Sequence, residues 1–169
     1  MALTIIKSKR KVRDFLTYDL EWVPGSLEVR LVGVYDGERY RCYNSIDTFL
    51  NRELTRENRG KWFYAHAGGL ADFQFILERL SLRKGWTVKC AFSGSAAIIC
   101  TVRRGKNAWH FVDSYWLLRD KLENIAKWIG LEKGEADKRQ TEEEAREFYA
   151  TAPLPVLIEY NEQDCVILW

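Results

Sequence analysis

Alternation of apolar and polar residues marks the first readable element of the chain. Asp14 to Trp22 (DFLTYDLEW) carries Phe15, Leu16, Tyr18, Leu20 and Trp22 among polar neighbours and predicts a strand. Pro24-Gly25 breaks it. Leu27 to Tyr35 (LEVRLVGVY) predicts a second strand, Asp36-Gly37 a hairpin turn, and Arg39 to Tyr43 a third strand, together an antiparallel meander. Ile46 to Leu54 follows the capping residue Ser45, with Asp47 in the first turn, and reads as a short helix. Lys61 to Ala65 is a fourth strand, ended by Gly68-Gly69. Leu70 to Leu82 then repeats Phe73, Ile76, Leu77 and Leu80 at helical spacing. Strands are expected at Thr87 to Phe92, Ala96 to Val102 and Trp109 to Val112, the last two joined by a turn at residues 104–107. Asp113 to Leu118 leads into a helix over Lys121 to Ile129, closed by Gly130. Thr141 to Tyr149 is helical, with Glu142 to Glu144 at its positive end. Pro153 and Pro155 separate it from a last helix over Val156 to Trp169. Strands come first, then strands mixed with helices, which predicts an α/β domain with a mixed β-sheet flanked by helices.

Composition narrows the class. With 169 residues, 47% hydrophobic and 14% aromatic, the chain can bury one sizeable core, and global disorder is excluded. No apolar run approaches the 18 or so residues of a membrane span. The start has a short apolar run (Ala2 to Ile6) followed by basic residues. A secretory signal has the opposite order, so an intracellular chain is expected. Net charge is only +2, yet Lys7, Lys9, Arg10, Lys11 and Arg13 crowd the first thirteen positions without an acid. We read residues 1–13 as a basic arm and 14–169 as one domain. The arm is either a solvated tail or a contact for phosphates. Cys42, Cys90, Cys100 and Cys165 form no CxxC pair and have only His66 and His110 to join them. That makes a structural zinc site improbable and predicts reduced, mostly buried thiols.

Three segments hold candidate chemistry. In Asp19-Leu20-Glu21 the two acids share one face of a strand, where a divalent cation is the natural counter-charge. The same pattern also suits the wet face of an ordinary strand. In Tyr64 to Asp72 (YAHAGGLAD) a strand runs into two glycines and then an acid at a helix start. Asp72 fits a ligand role and equally fits complementing the helix dipole. In Tyr160-Asn161-Glu162-Gln163-Asp164 a phenol and a carboxylate lie one helical turn apart, able to hold a water between them or simply to face solvent.

Taken in order, these segments resemble the three exonuclease motifs of the DEDD superfamily of 3′–5′ exonucleases, in the tyrosine-bearing branch. The stretch Tyr64 to Leu77 (YAHAGGLADFQFIL) is similar to the second exonuclease motif of family B DNA polymerases, especially the protein-primed viral and linear-plasmid type, whose usual form is close to HNGGxFD. Val112-Asp113-Ser114-Tyr115 and Leu131-Glu132-Lys133-Gly134 resemble further segments of that group. The resemblance runs from Phe15 to the C terminus. It departs at Ala67, where Asn is usual, and at Ala71, where Phe or Tyr is usual; these positions help hold the terminal nucleotide. No polymerase motifs follow, so the chain reads as a stand-alone exonuclease or an excised proofreading domain.

The resemblance implies a ribonuclease H-like fold and hydrolysis of single-stranded DNA from its 3′ end. It implies two divalent cations, Mg2+ or Mn2+, held by Asp19, Glu21, Asp72 and Asp164. Tyr160 orients the attacking water, and Lys133 contacts the scissile phosphate or the water. Leu20 and Phe73 are candidate neighbours of the terminal base; His66, Gly68 and Gly69 are candidates for shaping the substrate loop. Arg103, Arg104, Lys106 and the basic arm are candidate phosphate contacts. The expected partners are a DNA 3′ end and the polymerase portion of a parent protein, with no membrane and a monomeric chain. Two alternatives stay open: a 3′–5′ exoribonuclease of the same superfamily, and a nucleic-acid-binding module with impaired catalysis.

Overall fold

The computed structural model describes residues 13–26, 28–131 and 141–169. Its first strand, β1 (Phe15–Trp22), is followed by β2 (Val29–Tyr35) and β3 (Tyr40–Tyr43), the expected meander. Asp36 builds the tight β2–β3 turn by accepting from the backbone of Glu38 and Arg39, with Gly37 at φ 95°. Helix α1 (Ile46–Glu53) starts where Ser45 accepts from the Thr48 amide. Then come β4 (Trp62–Ala65), α2 (Asp72–Ser81), β5 (Trp86–Ser93), β6 (Ala96–Arg104), β7 (Asn107–Asp113) and the short α3 (Tyr115–Leu118). Helices α4 (Leu122–Trp128), α5 (Glu142–Thr151) and α6 (Leu154–Leu168) complete the described chain.

The seven strands form one sheet in the order β3-β2-β1-β4-β7-β6-β5. The β1–β4 and β4–β7 pairs are parallel and the others antiparallel, so the sheet is mixed as expected. Side chains alternate across it. Leu16, Tyr18 and Leu20 of β1 enter the main core with Phe49, Leu50, Phe63, Ile76 and Phe111. Phe63 stacks on Phe111 at 5.2 Å, and Tyr18 meets the same ring edge-on at 5.5 Å. The other face of β1 turns Thr17, Asp19 and Glu21 toward α6. There Thr17 donates to the Cys165 carbonyl at 2.7 Å, and Leu157 packs with Leu31 and Ala152.

Two helices start two residues away from where the sequence places them. Helix α2 begins at Asp72 rather than Leu70, because the chain turns at Ala67 (φ 57°) and the Phe73 amide returns to the Gly68 carbonyl at 2.9 Å. Helix α6 begins at Leu154, two residues early. Pro155 sits in its first turn, where a missing N–H costs nothing. The cysteine expectation needs correction too. Cys90 and Cys100 face each other across β5 and β6, Cα atoms 4.1 Å apart, and are joined as a disulfide, while Cys42 is exposed. The ten-residue separation gave no sign of that register.

Helix α5 carries a capping box between Thr141 and Glu144. Arg30 of β2 ties down its other end, donating to the carbonyls of Tyr149 (2.5 Å), Ala150 (2.7 Å) and Ala152 (3.2 Å). Residues 1–12 of the basic arm and the Glu132-Lys133-Gly134 segment lie outside the described residues. Among the described residues no helix is long and apolar enough to cross a membrane.

Candidate functional site

The parallel strands β1 and β4 set the site. Asp19 and Glu21 leave the C-terminal half of β1 on its α6 side, Asp72 opens α2 just beyond β4, and Tyr160 and Asp164 stand one turn apart on α6. All five line one cleft of about 270 Å3, together with Leu20, Trp22, Pro24, His66, Ala67, Ala71 and Tyr149. A second recess of about 450 Å3 shares Asp19, His66, Ala67 and Asp164 and is completed by Tyr115 and residues 120–123. Glu21, Asp72, Tyr160 and Asp164 are buried, and Asp19 is partly exposed to the cleft.

The sequence reading missed the residue that holds the acid pair together. Asn161, wholly buried, donates its amide to Asp19 Oδ2 at 2.9 Å and to Glu21 Oε1 at 3.1 Å. Tyr40 fixes the amide's orientation by donating to Asn161 Oδ1 at 2.9 Å. The amide needs room against β2, and Gly33, the strand partner of Asp19, gives it: a Cβ there would lie 1.6 Å from Asn161 Oδ1. A lone glycine inside a strand is a signal of close approach, and it was available in LEVRLVGVY. Asp113 was also missed. It is buried at the end of β7 and accepts from the amides of Gly69 (3.2 Å) and Tyr115 (2.9 Å), pinning the glycine loop beside α3.

The carboxylates oppose one another. Desolvation raises the pKa of Asp19 well above the ordinary range, and the charges of Glu21, Asp72 and Asp164 add to it. Asp72 is raised by desolvation and by Glu21 and Asp113. Hard oxygens and clustered carboxylates are the kind of donor set that suits a small divalent cation. As arranged, no three described His, Cys, Asp or Glu side chains meet at one point able to hold an ion.

The other expected site residues divide. His66 faces the cleft, its ring nitrogens engaged by Ser114 Oγ at 3.0 Å and the Asp120 carbonyl at 2.8 Å, which makes it a brace for the loop. Leu20 reaches the cleft lining although its side chain belongs to the core. Phe73 is not brought to the cleft; it packs in the core 5.6 Å from Phe111. Gly68 and Gly69 touch protein instead: an added Cβ at Gly68 would meet Ala65 at 2.6 Å, and one at Gly69 the Ala97 carbonyl at 2.0 Å. Lys133 lies outside the described residues.

No protein-family model matches the sequence, and no curated protein matches it. Solved structures do share its fold. Phi29 DNA polymerase complexed with single-stranded DNA superposes at a TM-score of 0.68 with 20% identity, over 93% of this chain and 30% of the polymerase. Its complex with primer-template DNA gives 0.70 at the same identity and coverage. The chain thus spans under a third of the length of these structures, and its mixed, helix-flanked α/β sheet is consistent with a ribonuclease H-like fold.

Proposed function

We propose that the chain is a metal-dependent 3′–5′ exonuclease acting on single-stranded DNA. The convergence of Asp19, Glu21, Asp72, Asp164 and Tyr160 on one cleft carries this reading. The shared fold with a polymerase captured on single-stranded and primer-template DNA supports DNA as the substrate.

The reaction joins a water oxygen to phosphorus and breaks the bond to the 3′ oxygen, releasing a nucleoside monophosphate and a shortened strand. Asp19, Glu21, Asp72 and Asp164 are the residues that would hold two Mg2+ or Mn2+ ions. When bound, such ions would supply an activated water and neutralise charge on the leaving oxygen. The chain's own residues do the rest. Tyr160 orients the attacking water from its phenol oxygen. Asn161 keeps Asp19 and Glu21 from turning away from each other. Leu20 and the ring of Tyr149 flank the terminal nucleoside, and His66 holds the loop that carries Ala67. Lys133, outside the described residues, would contact the scissile phosphate or the water. A polymerase portion is the partner that would deliver the 3′ end.

A 5′-labelled DNA oligomer with manganese tests the proposal. A ladder shortening from the 3′ end, lost in Asp19→Ala, is the expected result. A ladder unchanged in Asp19→Ala sinks the site. No ladder from the wild type favours the binding-module alternative, for which Ala67 and Ala71 in the cleft lining are the best support. A faster ladder on RNA favours the exoribonuclease.

A further inference from the structure

At the other end of the strands, about 13 Å from Asp19 along β1, a different group of side chains gathers. Register places Trp62 of β4 beside His110 of β7, and His110 opposite Thr101 of β6. All three point to the face that α6 crosses over β1 and β2. The rings of Trp62 and His110 lie 5.6 Å apart, and those of Trp62 and Tyr64 6.0 Å. Arg13 lies over the Trp62 ring at 4.3 Å. The Thr101 hydroxyl is hydrogen-bonded to His110 Nδ1 at 3.1 Å. Desolvation, then the charges of Arg13 and Arg103, hold His110 below its ordinary pKa, so both guanidiniums flank a neutral ring.

Among the described residues this cluster is positive and uncompensated. Arg13 and Arg103 are exposed, and among the described residues neither forms an ion pair, even with the adjacent Asp14. The face continues onto β5 at Lys89, also exposed. No strand position pointing to this side of β4, β5, β6 or β7 carries a carboxylate.

Guanidiniums attract phosphates, and half-exposed rings offer π-faces to unpaired bases. That combination grips single strands with little regard to sequence. A duplex presents phosphates but keeps its base faces stacked. We propose that the face centred on Trp62, His110, Arg13 and Arg103 is a second contact for single-stranded nucleic acid, holding the strand outside the carboxylate cleft. The inference rests on the proposed function only for the nature of the strand; it needs no hydrolysis.

Fluorescence anisotropy in EDTA tests it without turnover, using labelled single strands of about four and about twenty nucleotides and a duplex of about twenty base pairs. Arg13→Ser/Arg103→Ser alters two exposed side chains, so an unchanged melting temperature is expected. Its affinity for the long strand should fall about tenfold, with a salt dependence shallower by about 1.4 in log–log slope. Affinity for the four-nucleotide strand should fall by a similar factor, because the metal-free carboxylate cleft repels phosphates and leaves it this face to bind. Trp62→Leu should weaken the long single strand about tenfold and leave the duplex unchanged. Unchanged long-strand affinity in the double arginine variant overturns the proposal. So does an equal loss for duplex and single strand in Trp62→Leu, which would mean plain charge attraction, or dimerisation of the chain through this face in sedimentation. The two proposals fail separately: this binding pattern without a ladder leaves the surface standing and removes the exonuclease, and a ladder without the pattern does the reverse.

Discussion

Two buried acid sites in this molecule have opposite characters. Glu53, 2% exposed at the end of α1, accepts from Arg41 Nε at 2.8 Å, from the Tyr43 hydroxyl at 2.5 Å and from Asn58 Nδ2 at 2.9 Å. Its charge is answered on every side. Asp19 and Glu21 sit a few strands away with an amide, Asn161, between them and more carboxylates around them. A fold that only needed to be stable would use the first arrangement twice. Burial, then mutual repulsion among these carboxylates, raises the pKa of Asp19 and lowers stability, and such perturbed groups in a cleft are what the proposed cation site draws on.

Crossed substitutions break this comparison most sharply. Asp19→Asn should cut manganese-dependent shortening of DNA on the order of a thousand-fold, equivalent to about 4 kcal/mol. In EDTA the same change should stabilise the fold by about 1 kcal/mol at neutral pH. The sign follows from linkage: a carboxyl whose folded pKa is raised above its unfolded value costs stability once pH exceeds the unfolded value. Wild type without metal should therefore gain stability as pH falls toward 5, and Asp19→Asn should gain less. Glu53→Gln should do the opposite, losing about 3 kcal/mol in urea unfolding because it removes the buried anion to which the half-buried Arg41 donates, with the cleft untouched.

A smaller effect is expected between the two sites, at Gly33. Gly33→Ala should cost about 2 kcal/mol through overpacking and weaken manganese binding about tenfold by calorimetry, because Asn161 must move. Adding Asn161→Ala should recover stability but not metal affinity. Full additivity of the two changes would break the link we draw between them. The smallest effect concerns Asp36. Partial burial opposes its charge, yet the Arg41 guanidinium and the amides of Arg39 and Glu38 win and hold its pKa at about 2 rather than 3.8. The melting-temperature difference between wild type and Asp36→Asn should be present above pH 4 and vanish as pH falls through about 2.

Much of this was legible in the sequence, and for identifiable reasons. Local patterns reveal local structure, so β1 to β3, the Ser45 cap and the three acidic segments could be read directly. Asp19 and Glu21 share a face because strands have period two, and Tyr160 and Asp164 share one because helices have period 3.6. Contacts set by register were not legible. Nothing near Cys90 says that Cys100 will stand opposite it, and nothing near Asn161 names Gly33. Asp72 was placed correctly at a helix start, but the brace that Asp113 gives the preceding glycines depends on β7 lying beside β4. Phe73 looked like a base-stacking residue beside Asp72; one step along the helix turned it inward to Phe111.

The bond between Asn161 and Asp19 spans 142 residues. Seen as an order of assembly, that separation sets when the cleft can exist. Closing so long a loop is slow and entropically uphill until the elements between its ends are in place. The sheet and α1 can pack first on the apolar side of β1, through Leu16, Tyr18 and Leu20, without any of the α6 groups. Only when α6 docks do Tyr160, Asn161 and Asp164 join Asp19 and Glu21, so a half-folded chain can own a complete core and still lack the carboxylate cleft.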